Sequence, residues 1–484
     1  MVDEDLLIRH DLLGWPVEAG HATSSVDVAI VGGGITGLGA AHALRAGDPT
    51  LRITVFEGAP AVGGKLRTID FAGQRIDTGP DGFVVRGDAV TTLCEQLGLD
   101  TDLVSPCGGA PGIVYDGRLR HIPPGIMGGL ATRPLSVARS GMLPWHGLLR
   151  AALDVVAPSH APDRDVSVGS LVRRRLGDAT ADRIVQPLLG GIHCADIDAM
   201  SARMCAPQLL AALATGRGLV RGARATKTAG PPPRFLTLRG GMSRLVDGLV
   251  AAMPDVRLRT DDAVVGVLPH RHGWEVVGRR TSVHARALIV CAPPRDAAAL
   301  LDHVRDTVAH NLGRIESTSV GIVLLTYGRN SFDEVPQSSG FIVSPQERTL
   351  LTACTWVSAK WPHLRTGEHV IARCSTGRSG DARAAALDDA ELIDRVDGEL
   401  RRMAGIRGGA VQARVVRWTH SMPQFRPGHG RLVEAVRETL PSSIVLAGAG
   451  YDGTGIHACI EHGRSAAASV LEQLQEATKM AESA

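Results

Sequence analysis

A set of glycine-rich turns and one acid carry the clearest chemistry in this chain. Gly32-Gly33-Gly34-Ile35-Thr36-Gly37 supplies a GxGxxG pattern through Gly32, Gly34 and Gly37. The first glycine permits a tight turn, the second lets a pyrophosphate approach the backbone, and the third lets helix and strand pack closely. The helix that follows then points its N-terminal amides at phosphate charge. Glu57, followed by Gly58, stands twenty residues after Gly37, where a carboxylate can accept both ribose hydroxyls. With a strand before the turn and a second strand ending at Glu57, the pattern reads as a dinucleotide site. Three more turns could bring backbone close to such a ligand. They are Gly63-Gly64-Lys65, Asp77-Thr78-Gly79-Pro80-Asp81-Gly82, and, near the other end, the run from Ala447 and Gly448 to Gly455, Ile456, His457 and Ala458.

These residues need elements to place them. Val26–Val31 reads as a buried strand, Ala40–Ala46 as helix and Arg52–Glu57 as a second strand, a right-handed βαβ unit. Residues 91–210 carry helical patterns separated by Pro and Gly, and 211–232 read as loop with Arg217, Arg221 and Arg224 exposed. Strand signals return at Val256–Val267, Trp274–Gly278 and Ala287–Cys291. A mixed section follows, with strands Gly321–Tyr327, Gly340–Val343 and Val370–Ser375 and a helix from Asp388 to Met403. The chain closes on strand Ile444–Ala447, a glycine-rich turn and helix Gly455–Leu474. Ligand turns at both ends mean that the chain leaves the nucleotide unit and returns.

Composition narrows the class. The 484 residues carry 52 basic and 50 acidic side chains, a formal +2, so no whole-molecule charge argues for nucleic acid. Aromatics at 3% also disfavour a base-stacking surface. Eight cysteines show no CxxC pair, which argues against a metal site or a disulfide framework and fits a reducing cytoplasm. The acidic start is unlike a signal peptide, and no apolar run reaches the ~20 residues of a membrane helix. Residues 1–25 read as an extension without chemistry, and the chain is expected to be soluble, without an apolar stretch for docking on a membrane.

The glycine doublet six residues after Glu57 resembles that of FAD-dependent amine oxidases, phytoene desaturases and protoporphyrinogen oxidases. Further motifs select one branch. Gln186-Pro-Leu-Leu-Gly-Gly-Ile-His-Cys-Ala-Asp196, Leu238-Arg-Gly-Gly-Met-Ser-Arg-Leu245, Arg417-Trp418 through Phe425, and Ala447–Arg464 are similar to segments of HemY-type porphyrinogen oxidases, in that order. With Pro123-Pro124-Gly125 they run through most of the chain. It resembles the coproporphyrinogen III/protoporphyrinogen oxidase family, in its soluble Gram-positive form, within the flavin amine oxidase superfamily. Two departures stand out: His457-Ala458 replace a Pro-Asp pair, and His193 replaces an aromatic residue.

The resemblance implies an α/β fold: an FAD-binding Rossmann-like domain (26–85, 233–297, 414–475), a mixed-sheet substrate domain (86–110, 210–232, 298–413), a helical insertion (111–209) and a tail (476–484). It implies FAD contacts at Gly32–Gly37, Glu57, Gly58, Gly64, Lys65, Gly79, Pro80, Asp81, Gly82, Val264, Trp418, Gly448 and Gly455–Ala458, and no metal. The helix that begins at Ile456 would then aim its N-terminus at the flavin ring, where charge builds on reduction. The implied reaction removes six electrons from coproporphyrinogen III in three steps, with dioxygen as final acceptor and hydrogen peroxide as product. Gly191 is the expected acceptor for pyrrole N–H groups, and Arg86 and His193 are expected to face substrate propionates. Arg118, Arg120, His121 and Arg133 are secondary candidates. A ferrochelatase is the expected partner. Protoporphyrinogen IX, or an amine or secondary metabolite, is the alternative substrate, and a flavin-binding or haem-chaperone protein without turnover is the alternative class.

Overall fold

The computed structural model describes residues 24–483 except 124, 128–129, 132, 158–159, 227–233 and 366. The reading of residues 1–25 falls almost wholly outside the described residues. The chain opens with β1 (Ser24–Val31), α1 (Ile35–Gly47) and β2 (Ile53–Phe56). A ribbon, Thr68–Phe71 with Gln74–Asp77, leads to a hairpin of β3 (Gly112–Tyr115) and β4 (Arg118–His121). A helical section follows and includes α2 (Trp145–Ala152). Strands β5 (Val264–His270), β6 (Gly273–Gly278) and β7 (Ser282–Val290) form a meander. Next come β8 (Ser317–Gly328), β9 (Gly340–Val343), β10 (Leu351–Trp356) and β11 (His369–Thr376). Helix α3 (Asp389–Ala404), β12 (Gln412–Pro423), β13 (Ile444–Leu446) and α4 (Ile456–Ser483) complete the chain.

Two large sheets organise these elements. In the first, β2, β1 and β7 run parallel in register Ile53, Val28, Ala287, and β13 adds to the far side of β7. Its strands are apolar runs because helices cover both faces. On one face α1 and α4 cross so closely that a Cβ on Gly463 would lie 2.4 Å from the Thr36 carbonyl oxygen. Only glycine fits that crossing. The second sheet runs β12-β8-β11-β10-β9-β3-β4, with α3 packed over one face through Leu392, Val396 and Leu400.

The chain is thus α/β with a dinucleotide-type unit, a mixed sheet and a helical insertion, but several expected boundaries move. Residues 112–121 are strands of the second sheet, since Ile113 and Val114 are buried where β3 pairs with β9, so the insertion starts later than 111. The 211–232 stretch is helical over Pro207–Ala214 and Gly218–Ala225 and belongs with the insertion. Its glycines, read as loop, make a turn at Gly218 and a helix crossing at Gly222, where a Cβ would lie 2.0 Å from the Ala212 carbonyl oxygen. Arg217, Arg221 and Arg224 are exposed as expected. Helices Pro294–Leu300 and Asp306–Gly313 pack on the first sheet with Val433 and Val436, so that unit extends past 297. Strand β12, assigned to the nucleotide unit, pairs with β8 at the edge of the second sheet. Helix Ala89–Gln96 buries Val90 and Leu93 in the first core, so the chain does not leave that unit at 86. The 476–484 tail continues α4 through Ser483.

The expected absence of an apolar docking stretch also needs correction. Trp145, Leu149, Leu153 and Val156 follow helical spacing and remain 74%, 60%, 56% and 79% exposed. Among the described residues no helix is long and apolar enough to cross a membrane.

Candidate active site

The first glycine turn is fixed by its own backbone. Gly32 adopts φ +108° and donates to the Phe56 carbonyl at 2.8 Å, and a Cβ on Gly37 would lie 2.0 Å from the Gly32 oxygen. A side chain at position 37 would therefore collide with main chain. Glu57 is half-buried, and both its oxygens are held: Oε2 accepts from the Gly33 N–H at 2.9 Å and Oε1 from the Ala59 N–H at 2.8 Å. A carboxylate has about four acceptor sites, so two remain for hydroxyls. The glycine doublet packs on the first turn, with the Gly63 N–H donating to the Gly33 oxygen at 2.7 Å. The segment before Val264 runs beside Glu57 through the Asp262 N–H, 3.0 Å from the Glu57 carbonyl oxygen. Gly58 meets the same segment, since its Cβ would lie 3.1 Å from that of Ala263.

The last glycine turn returns to this place. A Cβ on Gly448 would lie 3.8 Å from the Thr36 hydroxyl oxygen, and Tyr451 anchors the turn with its hydroxyl on the Ala292 carbonyl at 2.7 Å. Ile456 turns its side chain into the core, so only its main chain can serve a ligand. His457 pairs with Glu461 at 3.1 Å, and Ala458 has no polar group to offer.

The cradle fits a dinucleotide. A Cβ at Gly34 or Gly455 would meet nothing within 4 Å, so both face open space at the N-termini of α1 and α4. Gly34 contributes no side-chain cap, which leaves the first amides of α1 in need of an acceptor. The Lys65 ammonium has no hydrogen bond or ion pair among the described residues, and burial pushes its pKa down. A phosphate group would satisfy both.

The Gly-Pro turn is held by the second sheet. Arg373 donates to the Asp77 carbonyl at 3.0 Å and to that of Gly79, and the Trp418 indole donates to the Thr78 carbonyl at 2.7 Å. Gly79 packs on the Lys65 carbonyl, where a Cβ would lie 1.8 Å from the oxygen, while Pro80 is exposed. A Cβ on Gly82 would lie 2.5 Å from the Leu236 carbonyl oxygen. The Asp81 carboxylate accepts from Lys360 Nζ at 2.7 Å and from the Trp361 indole at 3.2 Å. Burial would raise its pKa, but Lys360 and Arg373 outweigh burial and hold it below the usual range.

Asp77 behaves in the opposite way. Burial pushes its carboxyl up to about 6, against hydrogen bonds from the Thr68 hydroxyl at 2.6 Å and the Met242 N–H at 2.9 Å. A folded-state value above the ordinary 3.8 favours the protonated fold. That stabilisation is complete below about pH 4 and is lost as the pH rises through about 6. Asp77→Asn is expected to flatten the fall in Tm between pH 4 and 7. A profile unchanged from the parent would contradict this.

On the substrate side, Gly191 is exposed beside Ile342, 3.2 Å from the position of an added Cβ, and its carbonyl accepts two long contacts from Cys194, the N–H at 3.4 Å and the thiol at 3.9 Å. The oxygen keeps room for another donor. Arg86 is exposed and makes no hydrogen bond or ion pair among the described residues. It stands close to His193, whose pKa is lowered first by burial and then by the Arg86 charge, so the imidazole is neutral at pH 7. Gly191 and His193 share one short helical turn, and the Arg86 charge is felt at His193. The structure does not bring in Arg118, Arg120 and His121, which lie on the edge strand β4, where charge guards an open sheet edge. Arg133 is likewise exposed. Sequence reasoning missed Arg373 and Lys360. The signal for Arg373 was a charge inside the apolar run Val370-Ile-Ala-Arg-Cys374, which burial tolerates only with partners.

A glycine-turn cradle at two helix N-termini, strapped to a second mixed sheet, defines a dinucleotide-dependent oxidoreductase of two joined units. The model of the flavin-containing amine oxidoreductase family matches residues 35–471, and the chain belongs to that family. The chain is similar to the coproporphyrinogen III oxidase of Bacillus subtilis (strain 168), 31% identical over 92% of this chain and 98% of that protein. It is 34% identical to that of Mycobacterium leprae (strain TN) over 92% and 97%. Among solved structures, a putative protoporphyrinogen oxidase from Exiguobacterium sp. 255-15 superposes with a TM-score of 0.84 at 28% identity, covering 93% of this chain and all of that one.

Proposed function

We propose that this chain is an FAD-dependent oxidase that converts coproporphyrinogen III to coproporphyrin III for haem biosynthesis in the cytoplasm. Six electrons and six protons leave the macrocycle, three dioxygen molecules are reduced to three hydrogen peroxide, and the product passes to a ferrochelatase. The observation that carries this reading is Arg86, exposed and with its guanidinium unpaired among the described residues, next to Gly87, whose added Cβ would lie 3.8 Å from the His457 ring at the start of α4. A planar fork of this kind suits carboxylates. The names of the relatives support the same substrate.

FAD, when bound, supplies the two-electron acceptor for each step and delivers the electrons to dioxygen. The chain's own residues position and hold. Gly32–Gly37, Gly64 and Lys65 take the pyrophosphate, and Glu57 the ribose hydroxyls. The amides at the start of α4 lend positive potential to the ring. Gly191 accepts from a pyrrole N–H, Arg86 holds a propionate, and His193 forms a neutral polar wall. No strong base is required, because the pyrrole nitrogen lone pair assists removal of hydride from the neighbouring meso carbon. Catalysis of this kind rests on orientation.

An amine oxidase reading is disfavoured by two aromatic residues. Trp418 points its indole at Thr78, and the Tyr451 hydroxyl is buried on Ala292, so neither builds a cage for an amine. Protoporphyrinogen IX remains the competing substrate. The test is to follow porphyrin fluorescence with each porphyrinogen and the purified yellow protein. Turnover of protoporphyrinogen equal to or better than that of coproporphyrinogen would reject the assignment, and no flavin reduction by either would reject enzymatic function. Arg86→Ala is expected to raise KM for coproporphyrinogen about tenfold with little change in kcat, since a propionate contact acts equally in ground and transition states. Arg86→Lys should recover part of the loss. An Arg86→Ala efficiency within twofold of the parent would place the propionates elsewhere.

A further inference from the structure

A cavity of about 520 Å³ opens at one end of the second sheet. It forms where strands of unequal length part. The last rung between β8 and β11 joins Gly321 to Thr376, so Ser317–Val320 continue without a β11 partner. On the other side the β8–β12 ladder slips between Thr318 and Val320, and His420 turns into the left-handed region at φ +47°. Unpaired strand edge thus faces the cavity, together with Arg378, Arg417 and His420.

The charges lining it are not equivalent. Arg417 is tied to Asp389 at 2.8 Å and to the carbonyls of Ala384 and Leu387. The Asp381 carboxylate is taken by Arg383 at 2.7 and 2.9 Å. Arg378 Nη2 is buried and has no hydrogen-bond partner among the described residues. The Arg378 side chain as a whole is half-buried on the cavity wall, where a guanidinium suits an incoming carboxylate. The cavity also touches both sides of the candidate site. The Ser379 N–H donates to the Cys194 carbonyl at 2.7 Å, which ties the Arg378 loop to the loop of Gly191 and His193. The opposite wall includes Trp418, bonded to the Gly-Pro turn.

We propose that Arg378 holds a carboxylate arm of the substrate in this cavity, and that the contact separates a macrocycle with four carboxylates from one with two. The inference rests on the porphyrinogen reading above and deepens it. Arg86 and Arg378 then grip different arms of one ring.

The test uses holoprotein and the oxidised porphyrins, so it needs no turnover. Coproporphyrin III and protoporphyrin IX are titrated into parent, Arg378→Gln and Arg378→Lys, with the flavin absorbance change as readout and FAD occupancy as the control for folding. Arg378→Gln is expected to weaken coproporphyrin binding about tenfold while protoporphyrin stays within twofold, and Arg378→Lys to restore part. Parallel loss for both porphyrins, no loss for either, or a parent that binds neither overturns the proposal. A parent that binds coproporphyrin selectively yet does not oxidise coproporphyrinogen would instead sink the functional reading and leave Arg378 decided by the titration.

Discussion

Lys360→Met is expected to destabilise the protein by about 3 kcal/mol, the lower end of what breaking a buried ion pair costs. Lys360 and Asp81 meet at 2.7 Å with side chains only 16% and 18% exposed. The ammonium also lies 4.6 Å from the centre of the Phe235 ring and 4.9 Å from that of Trp361. Without it, Asp81 keeps the Trp361 indole and a more distant Arg373, too little to offset burial. The sign of its pH dependence should then change. In the parent the Asp81 carboxyl is held below 3.8, so its stabilisation is present at neutral pH and is lost only in acid. In the variant burial dominates, and stability should improve as the pH falls. Urea denaturation of parent, Lys360→Met and the double variant Lys360→Met/Asp81→Asn measures the coupling. A double variant no more stable than Lys360→Met would mean that the pair is not what Lys360 supports.

Glu57→Ala is expected to weaken FAD binding by ten- to over a hundredfold, from loss of charge-assisted bonds worth roughly 1.5–3 kcal/mol. The structure adds a second reason for a large effect. The same carboxylate anchors the Gly33 and Ala59 amides, so its loss frees the turn as well as the ribose contacts. Glu57→Gln keeps acceptors at reduced strength and should fall between. Flavin retained after dilution and gel filtration measures this directly, and full occupancy in Glu57→Ala would refute the assignment.

The nucleotide unit was legible because its requirements are local. Gly32, Gly37 and Glu57 sit at spacings set by one turn, one helix and one strand, and their neighbours in sequence are their neighbours in space. The strands of the second sheet were partly legible, but Leu351–Trp356 went unread, since Thr352, Thr355 and a half-buried face blur its alternation. Domain boundaries suffered most. Gly218 and Gly222 looked like loop because the sequence cannot distinguish a glycine that turns the chain from one that lets two helices touch. The ion pair of Asp81 was invisible for a related reason. Its partner Lys360 is 279 residues away, and no spacing rule reaches that far. Arg86 and His193 were named by resemblance, and the electrostatic influence of one on the other is a property of the tertiary fold.

The crossing of α1 and α4 at Thr36 and Gly463 has a consequence for biogenesis. The first glycine turn leaves the ribosome long before the helix that completes its surroundings. At roughly 5–20 residues per second, the intervening chain takes on the order of half a minute to over a minute to synthesise. Throughout that interval the face of α1 that α4 will cover, along Thr36, Gly39, Ala40 and Gly47, lies open. The cradle therefore closes only once α4 has been made.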